Sequence, residues 1–338
     1  MPELIPKTMR AIAPTGPGGP EVLELMQRPV PNALGSQLLI QVQAAGVNRH
    51  DCNQRARGHG PKGATDVLGL EVAGVVVAAG PDADPAWIGQ RVIALTNGGG
   101  YAEYCLAEAG LALPWPQTFS AVEAAGLPEA LFTLQLNLMD MGRLSPGDWV
   151  LLHGGSGGVA SIGIAFAKRK GASVAVTVGN EEKRQFCLER GADLAINYRT
   201  SDFADAILAA TDGRGVDVIL DVVGASYAKQ NLRAVAPNGR ILHLSPKGNL
   251  DIPLRDIMVK RACLSGALLR GVPLEHKLRL AAAIRTDLDN GAADDLRPAI
   301  SQAFVLDEAD AAHTLMESSA HMGKVMLLCS QLDGETLI

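Results

Sequence analysis

The apolar pattern changes from strand-like to helix-like within one stretch, Asp148 to Gly171 (DWVLLHGGSGGVASIGIAFAKRKG). Trp149 to Leu152 is a short apolar run, which predicts a buried strand. Gly154, Gly155, Gly157 and Gly158 follow. From Val159 the spacing is helical, with Val159, Ile162, Gly163 and Phe166 on one face. Lys168, Arg169 and Lys170 fill the last turn, where cations suit the helix dipole, and Gly171 is placed to end the helix. The alternation then repeats. Ser173 to Val178 predicts a second strand, and Asn180 caps a helix with Glu181 and Glu182 in its first turn, ending at Gly191. Leu194 to Ile196 predicts a third strand. Phe203, Ala206, Ile207 and Ala210 share a helix face, and Val216 to Val223 predicts a fourth strand. A helix over Tyr227 to Ala234 and a strand over Arg240 to Leu244 complete the series. Strands alternating with helices imply a doubly wound parallel sheet.

Before this stretch the pattern is different. Gln37 to Gln43 alternates, with Ile40 and Val42 against Gln41 and Gln43, and Thr15 to Pro20 is a loop by its glycine and proline content. Gly46 to Arg57 predicts a turn into a short helix whose polar residues suit a solvated surface, followed by a loop from Gly58 to Asp66. Val67 to Ala79 predicts an apolar strand pair enclosing Glu71, for which Arg91 and Arg49 are candidate partners. Gly98 to Tyr104 predicts a glycine turn feeding another strand. The N-terminal third is therefore β-rich, like a small barrel. Ser120 to Leu144 predicts one or two helices broken near the start by Pro128, and Gly323 to Leu328 predicts a last strand.

At 338 residues the chain has room for about two domains. Its 47% hydrophobic and 20% charged content fits a globular protein. A formal net charge of -6, with no basic run, argues against a nucleic-acid partner. No apolar run is long enough to span a membrane, and no secretory signal is evident. The five cysteines are far apart and suit a reducing cytoplasm.

The chemistry sits in the glycine loop. Residues 155 to 160 match G-x-G-x-x-A, with Gly155, Gly157 and Ala160 at the small positions. Glycine permits a tight turn and lets backbone N–H groups reach a pyrophosphate. The helix N-terminus adds partial positive charge. Strand, glycine turn and helix in that order point to a dinucleotide.

Further motifs extend this reading: Asn48 and Asp51 in GVNRHD, Gly69 to Val75 (GLEVAGV), Gly89 to Val92 (GQRV), Gly99 to Tyr104 (GGYAEY), Gly147-Asp148, Gly191-Ala192, Asn197-Tyr198, Asp221 with Gly224, and Gly323 to Val325. In this order they resemble the medium-chain dehydrogenase/reductase superfamily, and within it the zinc-free, zeta-crystallin-like quinone oxidoreductases. The resemblance implies an α/β protein in which a Rossmann doubly wound parallel sheet (residues 128–267) is inserted in a GroES-like β-barrel catalytic domain (1–127 and 268–338). It implies NADPH as cofactor, held by Thr133, Gly155, Ser156, Gly157, Gly158, Val159, Gly179, Asn180, Lys183, Tyr198, Val223, Ser245 and Lys324. An NAD enzyme carries an acid after the second strand; here Gly179 lies 22 residues after Gly157, and Lys183 and Tyr198 match positions that contact a 2′-phosphate.

No metal is expected. Where zinc alcohol dehydrogenases carry a Cys and a His ligand, this chain has Asn48 and Leu70, and the structural-zinc cysteine lobe is missing. His59, Ala165 and His321 stand where the quinone reductases commonly have Tyr, Gln and Asn. The implied activity is NADPH-dependent reduction of quinones or related conjugated carbonyls. An alkene reductase is the sibling alternative, and a nucleotide-binding regulatory or structural protein is the alternative from another class. The acceptor is expected over the nicotinamide, between barrel and Rossmann domain, with Asn48, Asp51 and His59 as catalytic candidates. A homodimer pairing Rossmann edges near Cys263 to Leu269, in the cytoplasm, completes the expectation.

Overall fold

The structure is a computed structural model that describes residues 5–61, 63–245 and 247–330. The chain divides into two compact units, Met1–Phe132 with Pro273–Ile338, and Thr133–Val272.

The first unit opens with the antiparallel hairpin of β1 (Thr8–Pro14) and β2 (Leu23–Pro29). It continues through β3 (Gln37–Val47), α1 (Arg49–Arg57), β4 (Glu71–Ala79), β5 (Arg91–Leu95), β6 (Tyr104–Glu108) and β7 (Ala112–Pro114). The expected strand pair over Val67 to Ala79 is a single strand, β4. Gly69 has φ +99°, and a Cβ there would lie 2.6 Å from Tyr101 Cδ1, so the chain turns at Gly69 before entering the sheet. The polar residues of α1 are also not a solvated surface: Asp51, Gln54 and Arg55 are buried. α2 (Ala121–Ala125) starts with a capping box, Ser120 against Glu123. α3 (Pro128–Leu134) has proline in its first position, where a missing N–H costs nothing. The chain then loosens into a π-helical stretch, Gln135–Met141.

The second unit alternates as the periodicity requires: β8 (Trp149–His153), α4 (Gly158–Arg169), β9 (Ser173–Val178), α5 (Glu181–Glu189), β10 (Leu194–Asn197), α6 (Phe203–Ala210), β11 (Val216–Asp221), α7 (Ala228–Ala234), β12 (Val235–His243), α8 (Leu254–Lys260) and β13 (Cys263–Gly266). All six strands are parallel, in the order β10-β9-β8-β11-β12-β13. The strand order reverses between β8 and β11, which makes a crevice at their carboxyl ends. One face of the sheet packs Leu151, Ala175, Ile219 and Ile241 against Phe203 and Ile207 of α6 and Leu232 of α7.

The chain then returns to the first unit with α9 (Leu274–Asp287), β14 (Ile300–Val305), α10 (Ala309–Ser318) and β15 (Lys324–Leu328). β15 lies antiparallel to β3, Val325 opposite Val47, and completes the sheet β14-β15-β3-β4-β5-β7, with β6 on the free part of β3. No helix among the described residues is long and apolar enough to cross a membrane.

Candidate functional site

β8 delivers its chain to the crevice at Gly154, where φ is +69°. Gly155 donates its N–H to Thr177 O at 2.9 Å, and Gly157 donates to Gly154 O at 2.9 Å, so the loop is wound tightly onto the neighbouring strand. A Cβ on Gly155 would lie 2.5 Å from Val176 Cβ, so any larger residue would push the loop off β9. Gly157 is the N-cap of α4 and no side chain caps the helix. Ser156 is buried, whereas Gly157, Gly158 and Val159 are half-exposed. The result is a set of first-turn N–H groups with no side chain over them, in a cradle that a Cβ would fill, suited to a pyrophosphate.

At the end of β9 the chain passes Gly179 to Asn180, whose side chain accepts the Lys183 backbone N–H at 2.8 Å and is spent as a helix cap. A Cβ on Gly179 would lie 2.9 Å from Tyr198 Oη and 3.7 Å from Arg199 Nε. Burial lowers the Lys183 pKa; Glu182 opposes this and the charge of Arg199 adds to it. A phenol and a guanidinium therefore flank a backbone position that carries no acid, and Lys183 lies close enough to Arg199 to feel its charge. Glu181 is turned to Arg184 at 2.7 Å. No local pattern marks Arg199, which is brought here because β10 pairs with β9.

A buried polar chain runs along the crevice rim. His153 Nδ1 lies 2.9 Å from Thr177 Oγ1 and its Nε2 lies 2.8 Å from Asn231 Oδ1. Asn231 Nδ2 donates to Asp221 Oδ2 at 3.0 Å, which fixes the amide and hence puts the His153 proton on Nε2. Burial holds His153 below the usual histidine range. Val223 and Ser245, two expected cofactor residues, sit in the loops after β11 and β12. Thr133, another, is buried at the first residue of this unit.

In the barrel unit, Glu71 is fully buried, and neither Arg91 nor Arg49 is its partner. Arg91 stacks on Trp115, 3.9 Å from the ring centroid, and Arg49 donates to Met316 O at 2.7 Å. Glu71 instead meets Lys324, whose Nζ lies 2.5 Å from Oε1 and 2.9 Å from Asn48 Oδ1. Asn48 Nδ2 donates to the same Glu71 oxygen at 2.9 Å, and the Glu129 backbone N–H satisfies Oε2 at 2.8 Å. Lys324, expected among the cofactor contacts, is only 1% exposed and is held in this cluster. Asn48, expected to donate to a substrate, keeps only one amide hydrogen outside the cluster.

Asp51 is fully buried and accepts from the backbone N–H of Asn48 (2.9 Å) and Gly69 (3.2 Å) and from Tyr101 Oη (3.2 Å). Behind Tyr101, His313 Nε2 lies at 3.1 Å and Arg55 Nη1 lies 3.0 Å from His313 Nδ1. Arg55 can only donate, so Nδ1 accepts, Nε2 carries the proton, and Tyr101 passes its own hydrogen to Asp51. Asp51 is thus part of the frame that caps α1. His59 makes none of these bonds; it is exposed, and its Nδ1 lies 3.4 Å from Gly60 O. Leu70 is buried and apolar, and among the described residues no group of three or more His, Cys, Asp or Glu is placed to hold a metal ion. A cavity of about 800 Å³ in this unit, lined by Trp87, Arg91, Trp115 and Arg285, contains none of the expected site residues.

Comparison with known proteins gives the family. Residues 35–117 match the alcohol dehydrogenase GroES-like domain, and residues 158–284 match the family described as zinc-binding dehydrogenase. Over 326 residues the chain is 32% identical to a quinone oxidoreductase of Sus scrofa, covering 95% of this chain and 98% of that one. The structure of Escherichia coli quinone oxidoreductase complexed with NADPH superposes with a TM-score of 0.83 at 26% identity, over 94% of this chain and 99% of that one. An NAD-dependent alcohol dehydrogenase superposes with a TM-score of 0.85 at 28% identity, over 95% of this chain and all of that one.

Proposed function

From one premise, that the chain belongs to the quinone oxidoreductase family of the medium-chain dehydrogenases/reductases, we propose that it reduces quinones or related conjugated carbonyls with NADPH and without a metal. The observation that carries the cofactor choice is the end of β9. Gly179 stands where an NAD enzyme places an acid, Arg199 and the Tyr198 hydroxyl flank it, and Lys183 feels the charge of Arg199. A carboxylate there would repel a 2′-phosphate; two cations and a donor attract one. The α4 N-terminus and the glycine loop would take the pyrophosphate, and Thr133, Val223 and Ser245 are proposed to line the remainder.

NADPH when bound supplies a hydride. This chain's part is to bind, orient and keep water out. In the barrel cluster the bonds described leave one amide hydrogen of Asn48 and one ammonium hydrogen of Lys324 uncommitted. That suits an acceptor which is electrophilic without activation, as a quinone is. The reduced acceptor can take its proton from water, so exposed His59 need not serve as a general acid. We assign Asp51 and Lys324 to the frame: they fix Asn48 from either side.

A homodimer is part of the proposal. β13 is the edge strand of its sheet, and Leu254, Met258, Val259 and Leu268, on α8 and just after β13, are all more than 60% exposed. The test of function is direct. Purified protein is mixed with NADPH or NADH and either a small quinone or a 2-enone, and nicotinamide absorbance is followed. Quinone turnover with NADPH is expected. Preference for the enone would make the protein an alkene reductase, and NADPH binding without turnover on any acceptor would make it a nucleotide-binding protein.

A further inference from the structure

Asp221 ends β11 and has no exposed surface. Four donors converge on its carboxylate. The backbone N–H groups of Val223 and Gly224 reach Oδ1 at 2.7 and 2.9 Å. Asn231 Nδ2 and His243 Nδ1 reach Oδ2 at 3.0 and 3.1 Å. Burial alone would raise the Asp221 pKa, but the His243 bond first, and then the Gly224 and Val223 N–H groups among the lesser causes, leave the carboxyl below its ordinary range. The carboxylate therefore ties the turn after β11 to the last residue of β12. The same two loops are laced by their backbones: Leu244 donates to Asp221 O at 2.8 Å and Ala225 donates to Lys247 O at 3.0 Å. Gly224 makes the turn possible with φ +97°, and a Cβ there would lie 2.6 Å from Lys247 O.

His243 is held by this one bond. Its Nε2 is buried with no hydrogen-bond partner among the described residues, so the ring's polar role is spent on Asp221. Its neighbour on β13 is Gly266, where a Cβ would lie 2.7 Å from His243 O.

The topology says what this pair faces. The ribose that an NAD enzyme grips with an acid lies at the end of β9, so the adenosine half of a dinucleotide runs over β9 and β10. The pyrophosphate crosses at the glycine loop of β8. The other half must then run over the ends of β11 and β12. Those ends carry Val223 and Ser245.

Resting on the NADPH reading above, we propose that His243 is a positioning residue for the nicotinamide half of the cofactor. It acts through Asp221, whose carboxylate sets the Val223–Gly224 turn. His243 itself touches no substrate.

The experiment compares His243→Asn with His243→Gln. An asparagine amide nitrogen can stand where Nδ1 stands and still donate to Asp221; a glutamine amide reaches instead toward the Nε2 position. Calorimetric titrations of each variant and the wild type use NADPH and, separately, 2′,5′-ADP, which lacks the nicotinamide half. His243→Gln is expected to bind NADPH about tenfold more weakly, the effect of one lost bond to a charged group, and to bind 2′,5′-ADP like the wild type. His243→Asn is expected to bind both like the wild type. Equal NADPH affinity in all three proteins overturns the inference. So does a parallel loss of both ligands in both variants, which would mean general damage to the unit. A wild-type protein that binds neither ligand overturns the cofactor reading, and this inference with it. A wild type that binds both, with His243→Gln unimpaired, overturns the inference alone.

Discussion

Acidification should loosen the barrel unit through one histidine. His313 is fully buried, accepts from Arg55 at Nδ1 and donates to Tyr101 from Nε2. Burial, and then the charge of Arg55, push its pKa down to about 3 from an ordinary 6.5. The folded value is the lower one, so between the two the unfolded chain binds more protons. The stabilisation is complete above about pH 6.5 and is lost as the pH falls toward 3. The slope is at most about 1.4 kcal/mol per pH unit. Over the whole window the ceiling is about 5 kcal/mol, a large part of a typical domain's stability. Carboxylates held low by their partners act later. Asp202, pushed down to about 2 with the Gln230 hydrogen bond as the leading cause, loses its contribution only below about pH 4. The control is His313→Gln, whose carbonyl can accept from Arg55 and whose amide can donate to Tyr101 without gaining a proton. Urea unfolding followed by circular dichroism, from about pH 7.5 down to about pH 4.5, should show the wild type losing its advantage over the variant steadily below about pH 6. Parallel stability curves would falsify the reasoning, because they would mean that His313 is not forced to stay neutral in the folded barrel.

Lys183→Ala and Arg199→Ala should each weaken NADPH binding about tenfold and leave NADH nearly unchanged, since each removes one charged contact to a 2′-phosphate; equal effects on both cofactors in a titration would remove those residues from the phosphate site. His59→Ala should retain most of the quinone activity and shift acceptor preference at most; an inactive variant that still binds NADPH would place the proton donor there. Light scattering at micromolar concentration should give a dimer mass, and Met258→Asp together with Leu268→Asp should give a monomer; an unchanged mass would move the interface elsewhere.

What could be read from the sequence follows physical range. The glycine loop and its helix were legible because their information is local: an apolar run, small residues at fixed offsets, then a change of period. The π-helical stretch after Leu134 left no trace in a pattern already rich in Ala and Leu. Glu71 is visibly out of place in an apolar strand, but no local pattern marks its partner. Lys324 is 253 residues away and arrives only because β15 returns beside β3. The polar residues of α1 resemble a surface in one dimension. They are buried because Arg55 finds His313, 258 residues later, and Asp51 finds Tyr101. Arg199 and His243 were missed for the same reason: each gains its meaning from the strand it lies beside.

That long-range pairing also bears on the metal. Loss of two ligands, Asn48 for a thiolate and Leu70 for an imidazole, would already weaken a zinc site. The structure adds an electrostatic reason. A buried ammonium, Lys324 Nζ, sits 2.9 Å from Asn48 Oδ1, on the very side chain that replaces the first ligand. Of the carboxylates beside Asn48, Glu71 already neutralises that ammonium, and Asp51 is engaged by the Asn48 and Gly69 N–H groups and by Tyr101. A zinc ion placed at Asn48 would meet a fixed positive charge in a low-dielectric interior, and no free anion to offset it. Restoring Cys at position 48 and His at position 70 should therefore fail to create a zinc site while Lys324 remains. Elemental analysis after dialysis should find substoichiometric zinc in the wild type and in that double variant alike. Stoichiometric zinc in the wild type would mean that another set of residues binds it. Stoichiometric zinc in the double variant alone would mean that the ammonium does not guard the position.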